Sequence, residues 1–285
     1  MGQRIPVTLG NIAPLAVKPF RPGKLALVCE GGGQRGIFTA GVLDEFMRAG
    51  FNPFDLMLGT SAGAQNLSAY MCNQQGYARK VITRYTTSRQ FFDPMRFVRG
   101  GVLLDGVSYL DGGVSDAIPV QEAARRGAQT IVVIRTVPSQ MFYTPQWFKR
   151  MERWLGESSL QPLVNLVHHH ETTYRAIQQF IEKPPGKLRI FEIYPQRPLR
   201  SMALGSRLPA LLEDYKTGRQ CGRYFLATVG KLLADQPPLL RHAPRIARPA
   251  PVVVPPVPVA NEAPQATIIP APQANDPSFD HEDLA

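Results

Sequence analysis

Apolar and polar positions follow two rhythms along this chain. Leu25 to Cys29, in KLALVC, is an unbroken apolar run of the kind a strand buried on both faces requires. From Gly36 to Arg48 the period lengthens. Phe38, Val42, Leu43, Phe46 and Met47 recur at the three- and four-residue spacing of one helix face. Phe54–Leu58 reads as a second short strand, and Ala62–Cys72 as a second helix. Val102–Val107 reads as a compact hairpin. Ile118–Arg126 is predicted to be helical with Pro119 in its first turn, and 163–180 is also helical in pattern. Thr130–Ile134 and Leu188–Ile193 are the clearest later strands. Strands alternating with helices predict an α/β fold, a mainly parallel sheet sandwiched by helices on both faces. In such sheets ligands gather at the carboxyl ends of the strands.

The rhythm stops near residue 236. The last fifty positions hold 12 of the 27 prolines, in runs such as Pro255-Pro256-Val257-Pro258. Proline this dense blocks helix and central strand alike. The chain is therefore read as an N-terminal extension (1–22), a folded body (23–235) and a disordered Pro/Ala-rich tail (236–285). The tail carries three arginines against five acids, so the body holds +12 of the net +10. A basic body suits an anionic partner, but no nucleic-acid-binding motif is present and nucleic acid is not expected. Three widely spaced cysteines argue for a reducing compartment, and no metal-ligand spacing occurs. Met1–Phe20 lacks a continuous apolar segment, and no stretch approaches the roughly 18 apolar residues of a spanning helix. The expectation is a cytoplasmic protein without cofactor or metal.

Two glycine-rich turns carry the candidate chemistry. Gly31-Gly32-Gly33-Gln34-Arg35-Gly36 follows the first strand and opens a helix. Its spacing fits a dinucleotide fingerprint, but that fold needs an acid at the end of the next strand, and Asp55 begins that strand instead. A Walker loop would need Gly-Lys-Ser/Thr, which is absent. The second turn, Gly59-Thr60-Ser61-Ala62-Gly63, has the GxSxG form between a strand and a helix, the setting of a nucleophile elbow. Gly59 and Gly63 let strand and helix close around Ser61, whose hydroxyl stands at a helix N-terminus. With that nucleophile the first loop gains a role. Its bare amides, those of Gly32 and Gly33 foremost, can stabilise the oxyanion of an attacked ester, where losing one donor costs about 3–4 kcal/mol. Arg35 either braces the loop or meets a phosphate. The histidines all lie beyond Asp111, so an order Ser61, Asp111, His168–His170 is formally available. The triple histidine falls within a helical stretch, where adjacent side chains diverge, and a surface helix is its simpler meaning.

The motifs GGGQRG, GTSAG and DGG together resemble those of the patatin-like phospholipase family over about residues 24–136. The resemblance implies a three-layer α/β/α fold and a Ser–Asp dyad without histidine: Ser61 as nucleophile, Asp111 as base, and Gly31, Gly32, Gly33, Gln34, Arg35 and Gly36 as the oxyanion loop. It implies a lipid ester substrate of phospholipase or lysophospholipase type; the chain's own basic residues add an expected peripheral contact with the inner face of an anionic membrane. Thr144–Leu155 gathers both tryptophans beside Lys149, Arg150 and Arg153, as an interfacial helix would; a helix packed on the sheet is the plainer account. From Gly63 to Asp111 there are 48 positions, fewer than the family usually carries. The alternatives are a catalytically impaired membrane-associating or scaffold protein of the same fold, and a histidine-using serine esterase.

Overall fold

The computed structural model describes residues 2–9, 21–87, 102–104, 107–109, 112–139 and 161–234. Asp111, the stretch Thr144–Leu155 and the Pro-rich tail lie outside the described residues. The chain divides into two units, Met1–His242 and Ala243–Ala285, and every described residue belongs to the first.

In chain order the elements are β1 (Gln3–Val7), β2 (Leu25–Cys29), a 3-10 turn (Gly33–Arg35), α1 (Gly36–Arg48), β3 (Leu56–Gly59), α2 (Ala62–Met71) and α3 (Tyr77–Lys80). A π-helical turn (Val81–Tyr85), the hairpin β4 (Val102–Leu104) and β5 (Val107–Tyr109), α4 (Val120–Arg125) and β6 (Thr130–Ile134) follow. The described chain closes with α5 (Gln161–Glu182), β7 (Arg189–Ile193), α6 (Leu208–Phe225) and α7 (Lys231–Ala234). Five strands form one sheet in the order β1-β7-β6-β2-β3, parallel throughout. Helices cover both faces of the sheet. Leu27, Cys29, Val132, Ile134 and Phe191 face α1 and α6 on one side, while Ala26, Val28, Ile131, Val133 and Ile190 face α4 and α5 on the other. This strict alternation is why β2 and β6 are apolar at nearly every position.

The α1–α6 contact is unusually close. A Cβ on Gly218 would stand 2.1 Å from the Phe38 carbonyl oxygen, and one on Gly41 would stand 2.4 Å from that of Tyr215. Above this seam the Glu45 carboxylate, 3% exposed, accepts from Arg219 at 2.5 Å and Arg223 at 3.1 Å and also pairs with Arg48.

Three boundaries differ from the sequence reading. The stretch 1–22 was read as an extension, yet Gln3–Val7 is an edge strand of the sheet, paired with β7. The second strand begins at Leu56, because Asp55 turns its carboxylate to accept from the Leu25 N–H at 2.9 Å and Phe54 packs on Phe46. Pro119 precedes α4 rather than opening it, since the Val120 N–H donates to the Ile118 carbonyl at 2.7 Å in a tight bend. At the far side of the sheet, β3 has no outer partner among the described residues, and its four residues are all partly exposed.

Candidate active site

The chain runs from β2 to β3 on one side and returns through β6 and β7 on the other. The direction therefore reverses beside β2, the place where such sheets bind ligands. Both glycine turns stand there.

Ser61 has φ 51° and ψ −121°, a conformation that costs a residue with a side chain on the order of 1–3 kcal/mol. The packing around it holds the strain. Thr60 extends the β2–β3 ladder through its N–H to the Cys29 carbonyl at 3.3 Å, and Ala62 begins α2. A Cβ on Gly63 would stand 2.4 Å from the Cys29 carbonyl oxygen, so only glycine lets the new helix start this close to β2. Ser61 is partly exposed, at the head of α2.

The glycine loop lies beside it: a Cβ on Gly31 would be 3.5 Å from Cβ of Ser61. Most amides of this loop are engaged. Gly31 donates to the Ala117 carbonyl at 3.0 Å, Gln34 to that of Ala203 at 2.8 Å, Arg35 to that of Gly32 at 3.2 Å, and Gly36 to that of Gly33. Among the described residues no partner stands at the N–H groups of Gly32, Gly33 or Ala62. These three are the amides able to receive an oxyanion. Gly33 has φ 57°, and the Ala203 carbonyl would lie 2.3 Å from a Cβ there. Arg35 lies under Gly32, whose Cβ would meet its Nε at 3.4 Å, as a brace would.

Gln34 clips three segments together. Its side chain, 2% exposed, donates to the Thr86 carbonyl at 3.0 Å and accepts from the Ser206 N–H at 2.7 Å. The loop is thus held from the end of the 77–85 helical segment and from the chain before α6.

Asp111 lies outside the described residues, but its neighbours are fixed. Gly112–Val114 form a 3-10 turn, and a Cβ on Gly112 would be 3.7 Å from Cγ2 of Thr60. The Thr60 hydroxyl donates to the Asp116 carbonyl at 2.7 Å. The chain leaving Asp111 is therefore laced to both the elbow and the glycine loop. Asp116 itself, which sequence reasoning passed over, is half-buried. Desolvation raises its carboxyl above the ordinary value, the Ile118 amide opposes this, and the Glu122 charge adds to it.

A second group of residues emerges only from the fold. Glu30, between β2 and the glycines, accepts from the Tyr174 hydroxyl at 2.7 Å, from the Thr136 hydroxyl at 3.1 Å and from the Thr136 N–H. Arg135, fully buried, donates to Tyr174 at 2.9 Å and to Glu192 at 2.7 Å. Burial drives the Tyr174 hydroxyl far up from its usual value, so it stays a donor. No local motif announces these residues; the only signal was polar side chains at the ends of apolar strands. Of the histidines, His170 holds its ring 6.0 Å from that of Tyr174, tilted by 48°; the side chains of His168 and His169, together with His242 and His281, lie outside the described residues. Cys29, Cys72 and Cys221 are free, and burial raises the thiol of Cys221 to about 12. Among the described residues no group of three or more His, Cys, Asp or Glu could hold a metal ion, and no helix is long and apolar enough to cross a membrane.

A parallel α/β/α sheet with a strained serine between strand and helix, beside a glycine loop that keeps the amides of Gly32 and Gly33 open, defines the class: α/β proteins built around a strand–turn–helix serine elbow. Within that class the chain belongs to the patatin-like phospholipase family, whose description, Patatin-like phospholipase, matches residues 27–102. Residues 160–234 match a second family, described as a domain of unknown function (DUF6363). This second match supplies Tyr174, β7, Ala203 and Ser206, so it is built into the sheet and into the hold on the glycine loop. The chain is 62% identical over 357 residues to Uncharacterized protein YjjU of Escherichia coli (strain K12), covering 100% of each. Since the chain has 285 residues, 72 positions of that alignment have no counterpart in it.

Proposed function

We propose that the chain is a lipid acyl hydrolase that works through Ser61 and Asp111. Ser61 Oγ attacks the ester carbonyl as Asp111 takes its proton. The carbonyl oxygen becomes an oxyanion facing the amides of Gly32 and Gly33, with Ala62 adding the donor that follows the nucleophile. The carbon–oxygen bond breaks, the leaving alcohol takes the proton from Asp111, and water then frees the acyl group by the same steps in turn. An aspartate at its ordinary pKa of about 3.9 is a weak base. The desolvation that raises Asp116 five positions on is the kind of setting that would strengthen Asp111. The free cysteines suit a reducing, cytoplasmic location.

The observation that carries this reading is the strained backbone of Ser61 beside an amide loop with two open donors. Ser61→Ala is expected to abolish turnover of a short p-nitrophenyl ester while the melting temperature stays within a few degrees of wild type, roughly. Retained turnover in the pure variant would remove Ser61 from the mechanism. Asp111→Asn should lose activity to a similar degree. Turnover should survive EDTA, and strict dependence on added calcium or zinc would contradict the scheme.

A second reading, an impaired enzyme serving as a membrane-associating or scaffold protein, draws on the 72 absent positions and on the family match ending at residue 102, before Asp111. Fluorophosphonate labelling separates the two. Labelling at Ser61 supports the enzyme, and its absence in folded protein supports the scaffold.

A further inference from the structure

The segment that clamps the glycine loop also exposes apolar side chains. Between β7 and α6 the chain is tied down firmly. Asp214 accepts from the N–H and the hydroxyl of Ser201, each at 2.6 Å, and from the Arg200 N–H at 3.2 Å. Ser206 Oγ receives the Met202 N–H at 2.9 Å and donates to the Met202 carbonyl at 3.0 Å. A loop closed this way has a defined shape, yet Met202 is 53% exposed and Leu204 39%. Leu208 (49%) and Leu212 (37%), one helical turn apart on α6, follow directly in the chain. Apolar side chains grouped on a well-held surface mark a site of contact.

Charge decides the kind of partner. Residues 197–216 carry Arg197, Arg200, Arg207 and Lys216, all exposed, against one exposed acid, Glu213, which pairs with Arg200 at 2.9 Å. Asp214 is buried in the loop's own hydrogen bonds. Apolar tips among cations fit a bilayer with anionic headgroups, the apolar side chains entering the acyl boundary while the cations meet the phosphates. Position matters equally. Ala203 rests on Gly33 and Ser206 holds Gln34, so this surface adjoins the amides that face Ser61.

We propose that Met202, Leu204, Leu208 and Leu212, with Arg197, Arg200, Arg207 and Lys216 around them in the chain, dock the protein on an anionic bilayer and present the glycine loop to it. The purpose of this surface rests on the lipid-hydrolase reading; its existence does not.

The test is sedimentation of the full chain with phosphatidylglycerol vesicles and with phosphatidylcholine vesicles. Wild type should partition onto phosphatidylglycerol, much less onto phosphatidylcholine, and should come off as salt is raised. The triple variant Met202→Ser, Leu204→Ser, Leu208→Ser should bind phosphatidylglycerol roughly tenfold more weakly, and so should Arg207→Glu with Lys216→Glu. Circular dichroism melting confirms that each variant is folded. Ser61→Ala should bind vesicles as wild type does, so loss of docking and loss of hydrolysis are read separately. The proposal is overturned if wild type ignores phosphatidylglycerol, or if folded variants of both kinds bind it unchanged. A wild-type dimer that the serine variants dissolve, without vesicle binding, would overturn it too and make the patch a self-association surface.

Discussion

Gly63 stands where two backbones meet, and it offers the sharpest test of how the elbow is held. In Gly63→Ala the added methyl would sit 2.4 Å from the Cys29 carbonyl oxygen, backbone against backbone, with no flexible side chain to give way. Overpacking of this kind costs about 1–3 kcal/mol, or roughly 2–12 °C in melting temperature for a body of this size. A melting temperature equal to wild type would show that α2 can shift away from β2. Gln34 is a different case, since its side chain is buried and holds the loop from behind. In Gln34→Ala the ties to Thr86 and Ser206 are lost. We expect kcat for a soluble ester to fall by about tenfold while KM changes little, because a misplaced oxyanion donor acts in the transition state. Equal kcat would show that the loop keeps its shape unaided. The sequence makes Ser61 and its flanking glycines legible because a strand–turn–helix elbow is written within five consecutive residues. Glu30 and its partners are not legible in the same way: Thr136 stands 106 positions from it and Tyr174 stands 144. Polar residues that satisfy one another across such distances leave no local trace.

At the scale of elements, α1 was readable from its period, with the same bounds in sequence and structure. Its partner α6 went unread for a physical reason. Gly218 and Gly222 sit inside it, and interior glycine ordinarily argues against a helix by about 1 kcal/mol each. Here they are what allows α6 to lie against the backbone of Phe38 and Val42. β1 was missed similarly: Pro6 within Gln3–Val7 argues against a central strand, and the strand proves to be an edge, where proline is tolerated. The α1–α6 seam also has a pH signature. Desolvation pushes the Glu45 carboxyl up, but hydrogen bonds and charge from Arg219 and Arg48 outweigh it and leave it below its ordinary 4.5. A carboxylate lowered by folding contributes stability above its unfolded value and loses it as pH falls through the folded one. Wild type should therefore lose more melting temperature than Glu45→Gln as pH falls from about 6 to about 3. Parallel curves for the two proteins would show that the cluster adds no pH-dependent stability.

For the molecule as a whole, β3 has no outer partner among the described residues, and the chain is short for its family between Gly63 and Asp111. β2 and β6 are buried along their length, while Leu56–Gly59, the strand that carries the elbow, is partly exposed at all four residues. A chimera that receives a full-length family segment between Gly101 and Val102 should melt higher and turn over ester faster. Equal melting temperature and equal turnover would show that the short connection is a complete design. The other edge of the sheet bears on how the protein is born. β1 is translated before the other strands of the sheet, yet Arg4 meets Glu192 only 188 positions later, and Ala203 and Ser206 come later still. At about 5–20 residues per second, the ribosome needs on the order of ten seconds or more to bridge that gap. From the synthesis of Ser61 until that of Glu192 the nascent chain has its serine but lacks both the closing strand and the clamp on the glycine loop. On the proposed activity, an esterase so arranged stays silent during synthesis, and a stalled or truncated copy would not reach a membrane able to cleave it.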